Sequence, residues 1–229
     1  VPTPTRQDKI DLSIIESAIK SVGNALKSKK AYHLVVVKST VIPFTTEKIV
    51  KPLLEKTAEK KVGENIGLCM NPEFLTQIHG SWINSDDFKR DPKTEEKIVI
   101  GEFDKKSGDL LEEFYKPLNI PIFRTDLKTA EFIKYASNCC LASKISFWNE
   151  IFMICNKIGV DSKFVADVLA LDKRIGKYGT VHGKAFGGTC LPKDLKAFIA
   201  WSKQYHEPIL LNAVNKINEY MKEKYGVRE

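Results

Sequence analysis

The sequence predicts an α/β protein: a partial doubly wound parallel sheet, followed by an all-helical part with one long helix. Three observations carry this. As far as about residue 125, short β-branched runs alternate with amphipathic stretches, the pattern of a parallel sheet with helices on its faces. From Thr129 to Ile158 roughly thirty residues keep helical periodicity, where a mean helix has about 11–12. That stretch holds no proline or glycine, and nothing after it reads as a strand.

Taken in order, Val1-Pro2-Thr3-Pro4 is extended by its prolines. Asp11-Leu12-Ser13 opens a helix with apolar residues at Ile14, Ile15, Ala18, Ile19, Val22 and Leu26. His33 to Lys38 is a valine run, as in a strand buried on both faces. Ser39-Thr40-Val41-Ile42-Pro43 leaves it, and a helix is expected over about 44–58. Ile66 to Met70 is a short strand that ends in Asn71-Pro72-Glu73. Residues 78–96, with Trp82, are polar and irregular and read as a long loop, often a functional one. Lys97 to Ile100 is a strand, Lys106 to Tyr115 a helix and Pro121 to Arg124 a last short strand. After the long helix come a helix over Asp161 to Leu171, a glycine-rich loop over 172–189, and helices over Pro192 to Gln204 and about 207–224. Two domains follow, 1–125 and 126–229, with the long helix as a domain spine or subunit interface.

The chain's 229 residues are enough for a real core, and 43% hydrophobic with 28% charged is ordinary for a globular protein. A disordered chain, a collagen and a disulfide miniprotein are excluded. No apolar run approaches the ~18 residues of a membrane span. The net charge of +7 is spread along the chain, without the basic stripe and aromatic platforms of a nucleic-acid binder. The cysteine count is odd, five, with no CxxC pair, and four of the five lie in or beside apolar runs. That is a reduced, cytoplasmic pattern of small buried hydrophobes. The chain opens on Val1 rather than methionine, as a processed chain or a fragment would.

Phe186-Gly187-Gly188-Thr189-Cys190-Leu191-Pro192-Lys193-Asp194 is the most informative segment. Glycines permit close ligand approach, and Pro192 suits a first helical turn. Cys190 then stands at a helix N-terminus, where the dipole favours a thiolate, with Asp194 on the same face. A covalent site is one reading; a glycine loop with a buried cysteine is the other. Lys134 and Asn138, also four apart, lie among apolar neighbours on the long helix. They read either as an oxyanion-stabilising pair or as a snorkelling lysine with a core hydrogen bond. Lys38-Ser39-Thr40 and Asn71-Pro72-Glu73 both fall at strand C-termini, where open α/β sheets bind ligands, although turn chemistry and capping explain them equally.

Together these segments resemble the UDP-glucose 6-dehydrogenase family, within the wider UDP-glucose/GDP-mannose dehydrogenases. The matching strings are Val1-Pro2-Thr3-Pro4, Val37 to Val41, Asn71 to Leu75, Ile98 to Gly101, Thr129-Ala130-Glu131 through Lys134 to Asn138, Lys144 to Phe147 with Asn149-Glu150, Asp172 to Gly176, and Phe186 to Asp194. The resemblance implies oxidation of a UDP-sugar C6 alcohol to the carboxylate with NAD, through a thiohemiacetal and a thioester on Cys190. By the same resemblance Lys134 stabilises the oxyanion, and Asn138 and Asp194 orient water and substrate. Thr40 and Glu73 hold water and act as acid and base. Phe74, Leu75, Arg174, Gly183, Phe186 and Gly187 contact the substrate, Arg174 by reaching a neighbouring subunit's sugar nucleotide. Pro2, Thr3, Ser39, Thr40, Glu73 and Lys193 contact the cofactor. A homodimer through 129–158 is implied, with no nucleic acid, membrane or metal.

Some features depart from the family pattern. The glycine fingerprint GxGxxG is absent, and in the family it would precede Val1; a UDP-binding domain would follow the last helix. Gln77 stands where Glu is usual, Gly is expected near Ile78, and His182-Gly183-Lys184-Ala185 replaces Pro-Gly-x-Gly. The isolated chain is therefore expected to be inactive. The alternatives are a silent dimerisation or sugar-nucleotide-binding fragment, or a dehydrogenase for a UDP-N-acetylhexosamine or GDP-mannose.

Overall fold

The computed structural model describes residues 1–6, 9–74, 82 and 96–228. They form two compact units: residues 1–74 and 96–135, and Trp82 with 136–228.

In the first unit, β1 (Thr5–Arg6) pairs antiparallel with β2 (Lys9–Ile10). Helix α1 (Ser13–Leu26) starts where the Asp11 carboxylate accepts the Ser13 N–H at 2.9 Å. It ends where Lys60 Nζ donates to the Leu26 carbonyl, one of the orphan acceptors of a helix end. Strand β3 (His33–Val37) follows. The helix expected over 44–58 is interrupted: a π-helical turn, Thr46–Val50, leads into α2 (Lys51–Ala58). Its entry is fixed from far away. The buried Glu131 carboxylate accepts the N–H groups of Phe44 at 2.6 Å and Thr46 at 2.7 Å, and Phe44 has a left-handed φ of 76°.

Strands β4 (Ile66–Met70), β5 (Ile98–Glu102) and β6 (Ile122–Asp126) complete a sheet of order β3-β4-β5-β6. β3 and β4 are parallel from His33↔Ile66 to Val37↔Met70, and β5 and β6 from Ile98↔Ile122 to Glu102↔Asp126. β4 and β5 run antiparallel, through Cys69↔Glu102 and Met70↔Gly101, where the sequence suggested a parallel sheet throughout. Antiparallel neighbours need no crossover helix, and the sequence between these two has no helical pattern.

Helix α3 (Lys105–Tyr115), capped by Asp104 accepting from the Ser107 N–H at 2.7 Å, covers one face; α1 and α2 pack over the other. β4 is buried along its whole length. β3 is not, against expectation: Val35 and Val37 enter the core with Ile15, Ile19 and Leu54, while Leu34 and Val36 stay partly open. Among the described residues it has a strand neighbour on one side only.

Helix α4 (Leu127–Ile158), 32 residues long, runs on into the second unit. There α5 (Ser162–Leu169), α6 (Leu191–Ser202) and α7 (Ile209–Tyr225) follow. This unit is not purely helical: β7 (Ala185–Phe186) pairs with β8 (Val227–Arg228), a parallel pair too short to show in the sequence pattern. Ile145, Trp148, Phe186, Leu195 and Met221 are fully buried here. Phe147, Ile154 and Ile158 of α4 remain exposed, with Phe164 and Val168 of α5. Among the described residues no helix is long and apolar enough to cross a membrane, and no group of His, Cys, Asp or Glu could hold a metal.

Candidate active site

In the first unit, the pairing Val37↔Met70 brings β3 and β4 to a common end. The C-terminal edge of a sheet is where α/β proteins bind ligands. A buried amide braces this edge. Asn71 Oδ1 accepts from Lys38 Nζ at 2.9 Å and from the Tyr115 hydroxyl at 2.6 Å, while its Nδ2 donates to the Val99 carbonyl at 2.8 Å. The segment 1–4 lies along the turn after β3: buried Thr3 donates its hydroxyl to the Thr40 carbonyl at 2.7 Å, and Ser39 donates to the Val1 carbonyl at 2.7 Å. Pro2 and Glu73 are exposed. Phe74 is buried, with Lys97 Nζ 4.6 Å and Lys134 Nζ 5.2 Å from its ring centre, a cation–π arrangement. Leu75 lies outside the described residues, as do Gln77, Ile78 and most of the expected loop over 78–96. Burial pushes the Glu131 carboxyl up to about 7, although its two backbone donors favour the charged form.

In the second unit, Cys190 is the N-cap residue of α6 and is exposed; its carbonyl accepts the Asp194 N–H at 2.9 Å. The Thr189 hydroxyl lies 3.7 Å from its sulfur. Asp194 is 1% exposed, and both of its oxygens are held: Oδ1 by Lys193 Nζ at 2.5 Å, Oδ2 by Asn138 Nδ2 at 2.6 Å. The structure thus brings together Asn138, Cys190, Lys193 and Asp194. Lys134, four residues before Asn138, belongs to the first unit with Phe74.

The other cysteines divide. Cys69, Cys139 and Cys155 are buried, and burial pushes the thiols of Cys69 and Cys139 up to about 12. Cys140 is exposed, against the expectation that four of the five are buried. It lies on the outward side of α4, and an apolar stretch does not reveal which of two adjacent cysteines turns inward.

The loop before Cys190 is pinned by side-chain amides. Asn149 Oδ1 accepts the Gly183 N–H at 2.8 Å, and its Nδ2 donates to the Lys184 carbonyl at 2.9 Å. Asn218 Oδ1 accepts the Phe186 N–H at 2.8 Å, and its Nδ2 donates to the Phe186 carbonyl at 3.1 Å. His182 sets Nδ1 2.6 Å from the Thr180 carbonyl oxygen and Nε2 2.8 Å from the Ser162 hydroxyl. Arg174 is 89% exposed, with its guanidinium forked on Asp172, Nη2 to Oδ2 at 2.6 Å. Asn218, Tyr115 and the bracing role of Asn71 are absent from the sequence expectations. Asn218 alone left a trace, as the polar member of the stripe Val214, Asn218, Met221 in an amphipathic helix.

Residues 1–119 match the NAD binding domain of the UDP-glucose/GDP-mannose dehydrogenase family, and residues 128–220 match its central domain. The chain belongs to this family. As a UDP-glucose/GDP-mannose dehydrogenase family member, it is 41% identical over 223 residues to a GDP-mannose 6-dehydrogenase of Pseudomonas syringae pv. syringae, covering 95% of this chain and 49% of that one. It is 40% identical over 231 residues to a UDP-glucose 6-dehydrogenase of Haloferax volcanii, covering 98% and 52%. Among solved structures it resembles a UDP-glucose dehydrogenase from Pyrobaculum islandicum, with a TM-score of 0.86 and 38% identity over 97% of this chain and 50% of that one. The chain spans about half the length of the curated relatives it matches.

NAD is the cofactor of this family's N-terminal domain. The residues present fit part of it. The hydroxyls of Ser39 and Thr40 and the exposed Glu73 stand at the carboxyl edge of β3 and β4, suited to ribose and carboxamide groups. A GxGxxG turn for the pyrophosphate is not in the sequence.

Proposed function

We propose that this chain carries the nucleophile-bearing part of an NAD-dependent UDP-sugar 6-dehydrogenase. The observation behind this is Cys190 exposed at the start of α6, with the buried Asp194 in the same helical turn locked by Asn138. Ser39, Thr40 and Glu73, with Pro2, Thr3 and Lys193, would hold NAD⁺, and two NAD⁺ bound in succession would each accept one hydride from the sugar C6 carbon, the first loss, with release of the hydroxyl proton, leaving the C6 aldehyde. The Cys190 thiolate adds to the C6 aldehyde, forming a C–S bond and an oxyanion that Lys134 stabilises. Once the thiohemiacetal carbon has lost its hydride, a thioester remains. Water, oriented by Asn138 and Asp194 and deprotonated with help from Thr40 and Glu73, adds to its carbonyl. The C–S bond breaks, the thiolate returns to Cys190 and the carboxylate leaves. Cys190, exposed at the start of α6, thus serves both as nucleophile and as leaving group.

Phe74, Leu75, Gly183, Phe186 and Gly187 contact the sugar nucleotide in this reading, with Arg174 contributing to a neighbouring subunit. The dimer that this requires is supported by the uncovered apolar residues Phe147, Ile154 and Ile158 on α4. The five free cysteines favour a reducing, cytoplasmic setting. The relatives named for GDP-mannose match as well as those named for UDP-glucose, so GDP-mannose is the competing substrate.

The test is protection of Cys190 from limiting iodoacetamide, mapped by mass spectrometry, which needs no turnover. UDP-glucose should slow labelling of Cys190 more than GDP-mannose does. The reading fails if neither nucleotide sugar changes the rate.

A further inference from the structure

Among the described residues, few side chains grip the main chain of a loop on both its donor and its acceptor. Asn218 does this at Phe186, from α7, at the point where the glycine loop turns toward Cys190. The other edge of the same segment is held by main chain alone: Ala185 N–H donates to the Gly226 carbonyl at 3.0 Å and Gly187 N–H to the Arg228 carbonyl at 3.2 Å. Residues 185–187 are therefore paired on two sides, by β8 and by an amide that mimics a third strand. Asn218 is 4% exposed and Phe186 2%, so water is kept from the two bonds between them. The loop has no slack on its own account, because a Cβ at Gly187 would stand 2.3 Å from Val227 Cγ1.

We propose that Asn218 is a positioning residue for nucleotide-sugar binding, setting the Phe186 peptide and through it the loop that ends at Cys190. The proposal rests on the function reading above. A short side chain on α7 thereby controls the shape of the sugar cradle without meeting the ligand. Losing both of its bonds frees the N–H and the C=O of the buried Phe186, which the loop can satisfy only by shifting outward.

The experiment compares the unsubstituted protein with Asn218→Leu, similar in size but unable to hydrogen bond. The apparent dissociation constant for UDP-glucose is read from protection of Cys190 against iodoacetamide. It should weaken about tenfold, the order expected for one buried hydrogen bond. Cys190 labelling without ligand should stay within about twofold, a split that a merely destabilised protein would not give. Amide exchange gives a second readout. In the unsubstituted protein the Phe186 amide should exchange slowly; in Asn218→Leu it should speed up while the Gly183 amide, held by Asn149, does not. Equal dissociation constants in the two proteins would overturn the proposal. So would a Phe186 amide in the unsubstituted protein that exchanges as fast as an unpaired loop amide, a measurement that stands even if Asn218→Leu does not fold. Absence of any protection in the unsubstituted protein would instead overturn the function reading, and with it the ligand named here.

Discussion

Asn138, in the middle of α4, donates its amide N–H to Asp194 Oδ2 across 2.6 Å, fifty-six residues away in the first turn of α6. The carboxylate is almost wholly buried, and Lys193 Nζ is its other partner. Asn138→Ala leaves one oxygen of a buried charge unpaired. We expect a loss of about 1.5–3 kcal/mol in unfolding free energy, as for hydrogen bonds to charged groups. Urea denaturation measures it. A loss below about 0.5 kcal/mol would mean that Lys193 alone satisfies the carboxylate.

Glu131 gives a pH dependence of defined sign. Its folded carboxyl is raised to about 7, above the ordinary value of 4.5, with burial the largest cause. Between these values the unfolded chain has lost its proton and the folded one keeps it, so stability falls as pH rises. The contribution is fully present below about pH 4.5 and gone above about pH 7, with a slope approaching ~1.4 kcal/mol per unit between. Glu131→Gln should flatten the difference between urea midpoints at pH 5 and pH 8. An unchanged difference would assign the pH dependence to other groups.

Labelling of the native protein at pH 8 should separate the thiols into two classes. Cys190 and Cys140 are exposed and should react; Cys69 and Cys139, buried with thiols at about 12, should not until the protein unfolds. Cys190 should be the faster of the two because it starts a helix, whereas Cys140 lies within one. Faster labelling at Cys140 would remove the ground for treating Cys190 as the nucleophile.

Gly187→Ala should break the short β7–β8 pair. The added methyl would meet Val227 Cγ1 at 2.3 Å and the Arg228 carbonyl oxygen at 3.1 Å, so the terminal strand must shift. Overpacking of this kind costs about 1–3 kcal/mol. Faster exchange of the Gly187 and Ala185 amides would show the strand released. Protection equal to that of the unsubstituted protein would show that β8 adapts.

The elements were legible because their periodicities are local. The start of α1 at Ser13, the strand at Ile66–Met70 and the uninterrupted helix to Ile158 all follow from spacing within a single window. What escaped depends on distant partners. The π turn at Thr46–Val50 goes with a carboxylate 85 residues along the chain, and no pattern around residue 46 announces it. The antiparallel meeting of β4 and β5 involves only two residue pairs. Of the candidate site, Asn138 and Asp194 were legible as residues of interest, since polar groups beside apolar stripes need partners. That they are each other's partner was not, because helical spacing does not say which helix a face meets.

Asn71 has one more consequence, for how the chain selects its strand alignment. β4 is buried on both faces, so sliding it by one residue against β3 would exchange one apolar side chain for another everywhere but at Gly67, where a Cβ would stand 2.6 Å from the Tyr32 hydroxyl oxygen and 2.9 Å from Leu34 Cδ1. Apart from that glycine, hydrophobic patterning is a poor guide to the correct offset. The polar residue just beyond the strand supplies what patterning lacks. In the native offset it meets the Lys38 ammonium, the Tyr115 hydroxyl and the Val99 carbonyl together. One step either way puts Met70 or Pro72 in its place, neither with a side-chain N–H to give Val99, and buries an amide without its partners. This one polar side chain thus acts as a proofreading mark beside Gly67, so that a misaligned sheet is rejected twice, by a clash and by a buried amide left without partners.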